Sequence, residues 1–377
     1  MNVLIAGVST RAAAESAARA GFAVTAIDAF GDLDQHPSVS AHALRDGFSP
    51  GAAARLAQTI ACDAVAYLSN FENHPGAVTL LAAGRPLWGN AGDVLARVRE
   101  PMLLTGALRR RGHSAPDAWV EARMPDVDSG RDRAWIVKPR ASGGGRRVRL
   151  WRAGSPVPRG CYLQEFVDGT PGSVLFAAAG GRAVTLGVCR QLIGEAPFGA
   201  SGYQYCGNIL VGDGEDDRLV GPARALADAV CDEFGLVGVN GIDFVAKDDV
   251  PHAIEVNPRW CASMELVERA YGLSVFGAHA TACRDGALPD FDVARARRGL
   301  RAVGKAIVYA RADVTVADTR EWLKDSDVRD VPVPGARIPA GRPVCTIMAE
   351  GPDAEACHVT LVQRAARVYR ACEETHG

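Results

Sequence analysis

The chain of 377 residues lacks the signals that would place it in a membrane or on a nucleic acid. It has no run of 18 apolar residues, so no transmembrane helix is expected. Its net charge of -2 leaves no basic excess for a nucleic-acid backbone or an anionic lipid surface. The segment MNVLIAGVSTR shows no basic leader. We therefore expect a cytoplasmic protein with neither a membrane nor a nucleic-acid partner.

No C-x-x-C pair occurs among the ten cysteines, which are scattered from Cys62 to Cys372. Several of them lie in apolar stretches, so we interpret them as reduced thiols of the core. The alternative is a reactive or metal-bound cysteine. The eight histidines show no metal-ligand spacing and are interpreted as surface or core residues.

Lysine is scarce, since only four of the 42 basic residues are lysine. Arginine supplies most of the positive charge of this chain. A lysine inside an apolar strand is then a candidate for a task that needs a compact point charge. The four are Lys138, Lys247, Lys305 and Lys324.

The first ninety residues alternate apolar runs with helical patterns. The runs at 2–8, 22–28 and 63–69 predict strands, and STRAAAESAARAG predicts a helix that Ser9 opens. This alternation is typical of a parallel sheet with crossover helices. The sequence therefore predicts an N-terminal α/β domain over residues 1–92.

Beyond that domain a helical stretch is interrupted at Pro101, and from Trp135 strand-like segments alternate with glycines. Such a pattern predicts antiparallel sheets. We expect a second unit over residues 93–290, with a lid subdomain at about 115–165, and a small mixed region over 291–377. The fold class is thus α/β together with α+β.

One pair of strands carries oxygen donors on a single face. GIDFVA and HAIEV, joined by KDDVP, predict a hairpin that places Asp243 opposite Glu255, with Asn257 diagonally beside them. Carboxylate and amide oxygens without His or Cys suit Mg²⁺, which also takes phosphate oxygens. Arg259 follows at the same end of the strand. The alternative is an exposed hairpin face with ordinary polar residues.

The segment WIVKPRASGGGRRVRLW places Lys138 at the end of a strand, before Gly143, Gly144 and Gly145. Glycines let backbone N–H groups approach a phosphate, and a lysine neutralises its charge. The order differs from G-x-x-x-x-G-K-[ST], because the lysine precedes the glycines. The alternative is a flexible glycine hairpin without a ligand.

Two further segments are weaker candidates. In CYLQEFVDGTPGSVLF a strand with Gln164 and Glu165 ends at Gly169, and its extended backbone could face an adenine edge. GASGYQYCGNIL is a glycine-rich connection that could form part of a substrate wall. Each could also be an ordinary turn between strands. The polar candidates in the second segment are Tyr203, Tyr205 and Asn208.

A glycine turn enters the first helix in GVSTR, with Asp28 at the end of the second strand. The full dinucleotide fingerprint G-x-G-x-x-G is missing. The helix N-terminus could bind an anionic group of a substrate through Ser9, Thr10, Arg11 and the backbone. Simple capping of the helix by Ser9 is the alternative.

The order of these motifs, a lysine before glycines, then QEFVDG, then D-x(11)-E-V-N-P-R, resembles the ATP-grasp superfamily of ADP-forming ligases. The resemblance covers residues 1–290 and is strongest over 135–260. It implies an N-terminal α/β domain before a two-part unit that clamps ATP between two antiparallel sheets. It also implies that ATP activates a carboxylate as an acyl phosphate, which an amine or a thiol attacks.

The resemblance also implies roles for individual residues. Lys138 would contact the α and β phosphates, and Arg259 the γ-phosphate or the acyl phosphate. One or two Mg²⁺ ions, with Mn²⁺ able to substitute, would be held by Asp243, Glu255 and Asn257. The remaining residues would cover the phosphates or hold adenine: Gly143, Gly144, Gly145, Gln164, Glu165, Phe166 and Val167.

The chain departs from the family pattern at two places. The first ATP-contacting lysine is absent, and Arg97 and Arg99 are the candidates by position. The usual ribose-contacting Glu is replaced by Thr170-Pro171, with Asp168 as a substitute.

The C-terminal segments resemble the tail domains of the carboxylase-like and purine-pathway branches. They also resemble amino-acid ligases of methanopterin- and methanofuran-type cofactor biosynthesis, which QEFVDGTPGSV favours. The partners implied are small-molecule carboxylates and amines. A non-catalytic ATP-binding sensor and a dinucleotide-dependent oxidoreductase are the competing functions. A homo-oligomer is left open.

Overall fold

A parallel five-stranded sheet forms the N-terminal part of the computed structural model, which describes residues 1–45, 47–121 and 133–373. Its strand order is β3-β2-β1-β4-β5, and neighbouring strands are parallel. The strands are β1 Asn2–Ala6, β2 Ala23–Asp28, β3 Val39–Ala43, β4 Ala64–Tyr67 and β5 Leu87–Trp88.

Five helices accompany this sheet and lead away from it: α1 Arg11–Arg19, α2 Pro50–Ala57, α3 Pro75–Ala82, α4 Gly92–Val98 and α5 Pro101–Arg110. The predicted opening of α1 by Ser9 is wrong, because Thr10 is the N-cap residue and no side chain caps the helix. The interruption at Pro101 is confirmed. The sequence did not predict β3 and β5. β3 is mostly exposed and so has no apolar run, and β5 has only two residues.

A four-stranded antiparallel sheet follows, in the order β6-β9-β7-β8. Its strands are β6 Ala118–Trp119, β7 Trp135–Pro139, β8 Arg149–Leu150 and β9 Cys161–Glu165. These strands lie in the range 115–165, where the expected lid subdomain stays a prediction, and residues 122–132 of that range lie outside the described residues.

An eight-stranded antiparallel sheet is the largest element of the fold, in the order β14-β13-β10-β11-β12-β15-β19-β17. A separate strand pair joins β16 to β18. The strands are β10 Thr170–Ala179, β11 Arg182–Ile193, β12 Tyr205–Leu210, β13 Gly238–Lys247, β14 Val250–Asn257, β15 Ala302–Tyr309, β16 Val314–Thr315, β17 Val328–Arg329, β18 Arg337–Ile338 and β19 Pro343–Gly351.

The remaining helices pack on that sheet or connect its strands. They are α6 Asp217–Phe234, α7 Met264–Tyr271, α8 Val275–Asp285, α9 Val293–Ala296 and α10 Ala354–Glu373, with 3₁₀ turns at Phe71–Asn73, Ala196–Phe198 and Thr319–Lys324. No helix in the described ranges is both long and apolar enough to cross a membrane.

The C-terminal strands belong to the same sheet as the middle of the chain. β15 pairs with β12 on one side and with β19 on the other. One apolar cluster includes Ile209 of β12, Val308 of β15 and Leu361 of α10. The domain boundary expected at residue 291 stays a prediction. Strands on both sides of it, β12 before and β15 after, belong to the same sheet.

The N-terminal sheet shares an apolar core with the eight-stranded sheet. Phe276 of α8, with 1% of its surface exposed, packs against Phe22 and Trp88 of the N-terminal part and against Trp260. The same cluster contains Leu175 of β10. This shared core fixes how the two sheets face each other, and a cleft lies at their junction.

Candidate functional site

One cavity of about 1100 Å³ is bordered by residues of the four-stranded sheet, the eight-stranded sheet and the start of α1. It brings together most of the candidates found in the sequence. Those that border it are Ser9, Arg11, Lys138, Gly143, Gly144, Gly145, Glu165, Phe166, Val167, Tyr203, Tyr205, Asn208, Asp243, Glu255, Asn257 and Arg259. Thr10 and Gln164 do not border it.

The hairpin of β13 and β14 forms as the sequence predicts. Asp243 pairs with Glu255, and the ladder shifts by one residue just after Asp243. Asp248 and Asp249 form the turn, both at positive φ, which is the conformation of a two-residue hairpin loop. The register places the two carboxylates next to each other on the floor of the cleft.

Asp243 is held by two amides. Gln191 Nε2 donates to its Oδ1 at 2.8 Å, and Asn257 Nδ2 donates to its Oδ2 at 2.9 Å. Burial and the neighbouring charge of Glu255 raise the pKa of Asp243 to about 6. Ionising Asp243 therefore works against burial and against Glu255, unless a cation is close.

Glu255 is surrounded by positive charge. Its Oε2 lies 3.8 Å from Lys138 Nζ and 3.7 Å from Arg99 NH1. Although burial by itself would raise the pKa of Glu255, the charges of Arg99, Lys138 and Arg259 lower it. Lys138 comes from β7 and Glu255 from β14, so this ion pair joins the two antiparallel sheets across the cleft.

The oxygen atoms of Asp243, Glu255 and Asn257 fit part of a magnesium site. The described residues contain no group of three His, Cys, Asp or Glu side chains that could hold a metal ion alone. Asp243, Glu255 and Asn257 supply only oxygen ligands, and the two adjacent carboxylates repel each other. A divalent cation between them would offset that repulsion, and phosphate oxygens would complete the coordination.

Gln164 orients the lysine. Lys138 Nζ donates to Gln164 Oε1 at 3.1 Å, and Gln164 Nε2 donates to the Ile254 carbonyl at 3.2 Å. The buried side chain of Gln164 thus holds Lys138, while the contact of its backbone with adenine stays a prediction. The lysine itself is 7% exposed and borders the cleft.

The strand end after Gln164 offers fewer backbone donors than the sequence suggests. The N–H of Glu165 donates to the Asp117 carbonyl, and that of Phe166 to the Ala134 carbonyl, both at 2.8 Å. Phe166 presents a partly exposed ring, 38% accessible, at the border of the cavity. An apolar ring of this kind suits the flat face of a base.

The glycine turn contacts the connection before β12. Gly144 and Gly145 have positive φ, and the Tyr205 N–H donates to the Gly144 carbonyl at 3.1 Å. A Cβ added at Gly145 would overlap the Tyr203 carbonyl oxygen, so only glycine fits there. The Ser142 carbonyl accepts from Asn73 Nδ2 at 3.4 Å. The turn is therefore tied to two other parts of the chain.

Arg259 is paired with a residue that the sequence did not reveal. Its Nε and NH2 donate to Glu72 Oε1 at 3.1 and 2.9 Å, and its NH2 also donates to Asn257 Oδ1 at 3.0 Å. Glu72 is 3% exposed and lies in the N-terminal α/β part. No local pattern around FENHP indicates a buried acid, because its partner is 187 residues away.

Of the two candidates for the missing lysine, only Arg99 lies next to the hairpin. Arg99 donates to the Val256 carbonyl at 3.0 Å and to Asn73 Oδ1 at 2.9 Å. Arg97 instead donates to the Glu233 carbonyl and lies over the Phe234 ring.

The first βα turn is not arranged for a dinucleotide. Thr10 Oγ1 donates to Asp28 at 2.9 Å, and the same carboxylate accepts from the N–H groups of Phe30 and Gly31. Asp28 is 1% exposed, so it cannot reach a ribose. Ser9 and Arg11 remain at the border of the cleft.

The polar residues of GASGYQYCGNIL border the cavity, and residues of the C-terminal strands extend this border, while their role as a substrate wall stays a prediction. Tyr205 and Asn208 hydrogen-bond to each other at the border of the cavity. Lys305 of β15 and Asp330 after β17 also border it. The sequence marked Lys305 only as one of four scarce lysines, and it did not mark Asp330. They reach the cleft because β15 and β17 lie in the same sheet as β12.

Comparisons with known proteins point to one superfamily. A model described as an ATP-grasp domain matches residues 100–263. The carbamoyl phosphate synthase large chain of Vibrio cholerae is 26% identical over 208 residues, which cover 51% of this chain and 19% of that protein. The chain thus spans about a fifth of the length of this curated relative.

Solved structures share the fold over nearly the whole chain. An L-amino acid ligase of Bacillus licheniformis matches with a TM-score of 0.69 and 16% identity, covering 97% of each chain. The biotin carboxylase domain of Hydrogenobacter thermophilus 2-oxoglutarate carboxylase, solved with MgADP, matches with a TM-score of 0.69 and 14% identity, covering 93% of this chain and 86% of that one. The chain therefore contains a match to an ATP-grasp domain over residues 100–263, within a fold that these solved structures share.

Proposed function

We propose that the protein is an ATP-dependent ligase that joins a carboxylate to an amine, or to a thiol, through an acyl phosphate, with release of ADP and phosphate. The observation that carries the proposal is the ion pair between Lys138 and Glu255, whose Nζ and Oε2 are 3.8 Å apart. It brings a phosphate-binding cation of one sheet to a metal-binding acid of the other. A ligand between the two sheets would meet both.

The residues for ATP follow from this arrangement. Lys138, positioned by Gln164, would neutralise phosphate charge, and the backbone of Gly143 to Gly145 would cover the phosphates. The ring of Phe166 would lie against the base. The biotin carboxylase domain with the same fold was solved with MgADP, which supports a nucleotide in this cleft.

Mg²⁺, when bound to Asp243, Glu255 and Asn257, would supply charge neutralisation for the transferring phosphoryl group. The part played by the chain is to hold these oxygens in place through Gln191 and Arg259. Arg259 would face the γ-phosphate or the acyl phosphate. Because Glu72 holds Arg259, this role depends on the N-terminal part of the chain.

Catalysis of this kind needs positioning and charge rather than a protein nucleophile. The cleft is compatible with that need, since Lys138 and Arg259 supply positive charge and Asp243 and Glu255 supply oxygen ligands. Among the described residues, Cys261 is the cysteine that borders the cleft, and burial raises its pKa to about 12, so the thiolate is disfavoured.

Within this class we propose that the reaction is an amino-acid ligation, of the kind used in building methanopterin- or methanofuran-type one-carbon cofactors. The segment QEFVDGTPGSV and the C-terminal strands support the proposal by sequence resemblance. The fold shared with an L-amino acid ligase is compatible with it.

The test is Mg²⁺-dependent release of ADP from ATP in the presence of a panel of carboxylates, each with and without amines or thiols. We expect one combination to stimulate ADP release and Glu255→Gln to reduce it at least a hundredfold while the melting temperature stays close to wild type. Glu350→Gln, at an exposed carboxylate paired with Arg269, is the matched control.

ATP binding without ADP release in any combination would indicate the non-catalytic sensor instead. Full activity of Glu255→Gln at ordinary Mg²⁺ concentration would contradict the metal assignment.

A further inference from the structure

The segment that follows Lys138 concentrates positive charge on the four-stranded sheet. Residues 139–164 contain six arginines and no aspartate or glutamate. The rest of the chain keeps 36 of the 42 basic side chains against 44 acidic ones, which is a net charge of -8. This sheet therefore carries a basic surface on a chain that is otherwise acidic. The six are Arg140, Arg146, Arg147, Arg149, Arg152 and Arg159.

Five of these arginines lack a counter-charge. Arg140 NH1 lies 2.8 Å from Glu100 Oε2. The other five form no ion pair and no side-chain hydrogen bond within the described residues, and all five are exposed. Like charges that lie near one another in the sequence repel each other, and an anionic partner would offset that repulsion.

The cavity accounts for two of the five. Arg146 and Arg147 border it beside the glycine turn, where phosphate would meet them. Arg149, on β8, does not border the cavity, nor do Arg152 and Arg159 in the connection from β8 to β9. These three charges are therefore available for a different partner.

β8 also has an unused edge. In the described sheet it pairs with β7 alone, with Ile136 opposite Leu150. The Trp151 N–H donates to the Trp135 carbonyl at 2.7 Å. Because hydrogen-bonded and non-hydrogen-bonded pairs alternate in an antiparallel ladder, the N–H and C=O of Leu150 point away from β7. Leu150 has 60% of its surface exposed.

An extended acidic peptide matches both features. As a strand added along β8, it would bond to the backbone of Leu150, and its carboxylates would pair with the neighbouring arginines. Arginine binds carboxylates through two parallel hydrogen bonds. A nucleic acid also carries negative charge, but it has no peptide backbone to add to the edge of a sheet. The open edge therefore favours a polypeptide.

We propose that the edge of β8, with Arg149, Arg152 and Arg159, is a docking surface for an extended acidic segment of another protein. The proposal goes beyond the ligase reaction, because it assigns a protein partner that the cleft chemistry does not require. Arg146 and Arg147 continue the basic surface to the border of the cavity. A segment docked on β8 would thus lie next to the glycine turn.

The test is the binding of a fluorescently labelled decaglutamate peptide to the full chain, measured by fluorescence anisotropy at several salt concentrations. We expect saturable binding that weakens as the salt concentration rises, because salt screens ion pairs between exposed groups. Replacing the three arginines together should weaken binding about tenfold, since three exposed ion pairs are lost. The variant carries Arg149→Gln, Arg152→Gln and Arg159→Gln.

The matched control removes three other exposed arginines that form no ion pair in the described chain. It has the same net charge as the first variant, so it separates a local surface from general attraction. We expect it to bind decaglutamate as the wild type does. Both variants should keep the wild-type melting temperature and affinity for an ATP analogue. The control carries Arg224→Gln, Arg301→Gln and Arg342→Gln.

The strand edge is tested separately. Leu150→Pro removes the outward N–H without a change of charge, so it should weaken decaglutamate binding by a few fold. Hydrogen exchange at the Leu150 amide of the wild type should become slower when decaglutamate binds. This second measurement decides the question if the proline variant does not fold.

Several results would overturn the inference. They are no binding of decaglutamate at low salt, equal affinities of the two triple variants, or unchanged exchange at the Leu150 amide at saturation. Tighter binding of a ten-nucleotide oligothymidylate, lost in the first triple variant, would overturn it in favour of a nucleic-acid surface. None of these results bears on the proposed function, which the release of ADP tests independently.

Discussion

Lys138 is a residue whose chemistry depends on where its neighbours hold it. Gln164 accepts from its ammonium at 3.1 Å, Glu255 lies 3.8 Å away, and the ring of Tyr162 lies 5.9 Å from its Nζ. A compact ammonium fits among these three partners, whereas a planar guanidinium would need more width. Most positive charges of the chain are arginines, whereas this buried position carries a lysine.

We expect Lys138→Ala to weaken ATP binding at least tenfold, because a buried point charge for phosphate is lost. Lys324→Ala is the matched control, since Lys324 is exposed and pairs only with the exposed Glu321 in the described chain. Calorimetry with ATP and Mg²⁺ measures both variants. Equal affinities would remove Lys138 from the phosphate site.

Individual residues could be found in the sequence where a local pattern marked them. Lys138 is marked by the scarcity of lysine and the glycines after it, and Glu255 by its alternation with Asn257. Glu72 and Asp330 could not be found, because their partners Arg259 and Arg11 are 187 and 319 residues away. A buried ion pair between distant segments leaves no local signal.

Among the elements, the glycine turn packs its backbone against the connection before β12. Gly145 has φ of +70° and lies against the Tyr203 carbonyl, whereas Gly143 has open space around its Cα and no positive φ. One residue separates the two glycines in the sequence. The packing requires glycine only at position 145.

Gly145→Ala should displace the turn and weaken ATP binding at least tenfold, because its Cβ would overlap the backbone of Tyr203. Gly143→Ala should bind ATP as the wild type does. The melting temperature without nucleotide should change little in both, since the turn buries few apolar groups. Indistinguishable ATP affinities for the two variants would show that the turn does not cover the phosphates.

Helix α8 is joined to two sheets through His279. The Val239 N–H donates to its Nδ1 at 2.9 Å, and its Nε2 lies 3.3 Å from the Trp88 carbonyl. Burial lowers the pKa of His279 from 6.5 to about 4. Between these values the unfolded chain binds a proton that the folded protein does not.

The stability that His279 contributes is therefore complete above pH 6.5 and is lost as the pH falls toward 4. The loss amounts to about 3 kcal/mol at most. Urea unfolding of the wild type and of His279→Gln at several pH values checks this, with His42→Gln at an exposed site as the control. A variant that keeps the full pH slope would assign that slope to other groups.

The elements themselves were predictable to different degrees. The pairing of Asp243 with Glu255 follows from local alternation on both sides of KDDVP, and the structure confirms it, whereas the two-residue turn and the register shift after Asp243 were not predicted. The pairing of β12 with β15 was not predictable, because almost a hundred residues separate them. Local patterns specify a strand, while its neighbour in the sheet depends on packing of the whole chain.

On the scale of the whole molecule, the cleft depends on how the N-terminal sheet and the eight-stranded sheet are held together. Phe276 is at the centre of their shared core, with Phe22, Trp88 and Trp260 around it. The ion pair of Arg259 and Glu72 crosses the same junction. We therefore expect the two parts to unfold together.

Phe276→Ala should lower the free energy of unfolding by about 3–5 kcal/mol, because it leaves a large cavity in this core. Tryptophan fluorescence and far-UV circular dichroism should still report one coincident transition in urea. Phe30→Ala, at a partly exposed ring, should change the stability by much less. Two separated transitions in the wild type would show that the parts are independent.

The pairing of β12 with β15 limits how this protein can be divided. A fragment that ends at residue 290 would keep the residues proposed for ATP, yet β12 would lose the neighbour that covers its backbone donors and acceptors. Such an open strand is a template for pairing with other copies. Expression of that fragment should yield aggregates, and a portable nucleotide-binding unit would have to carry β15 and β19 with it.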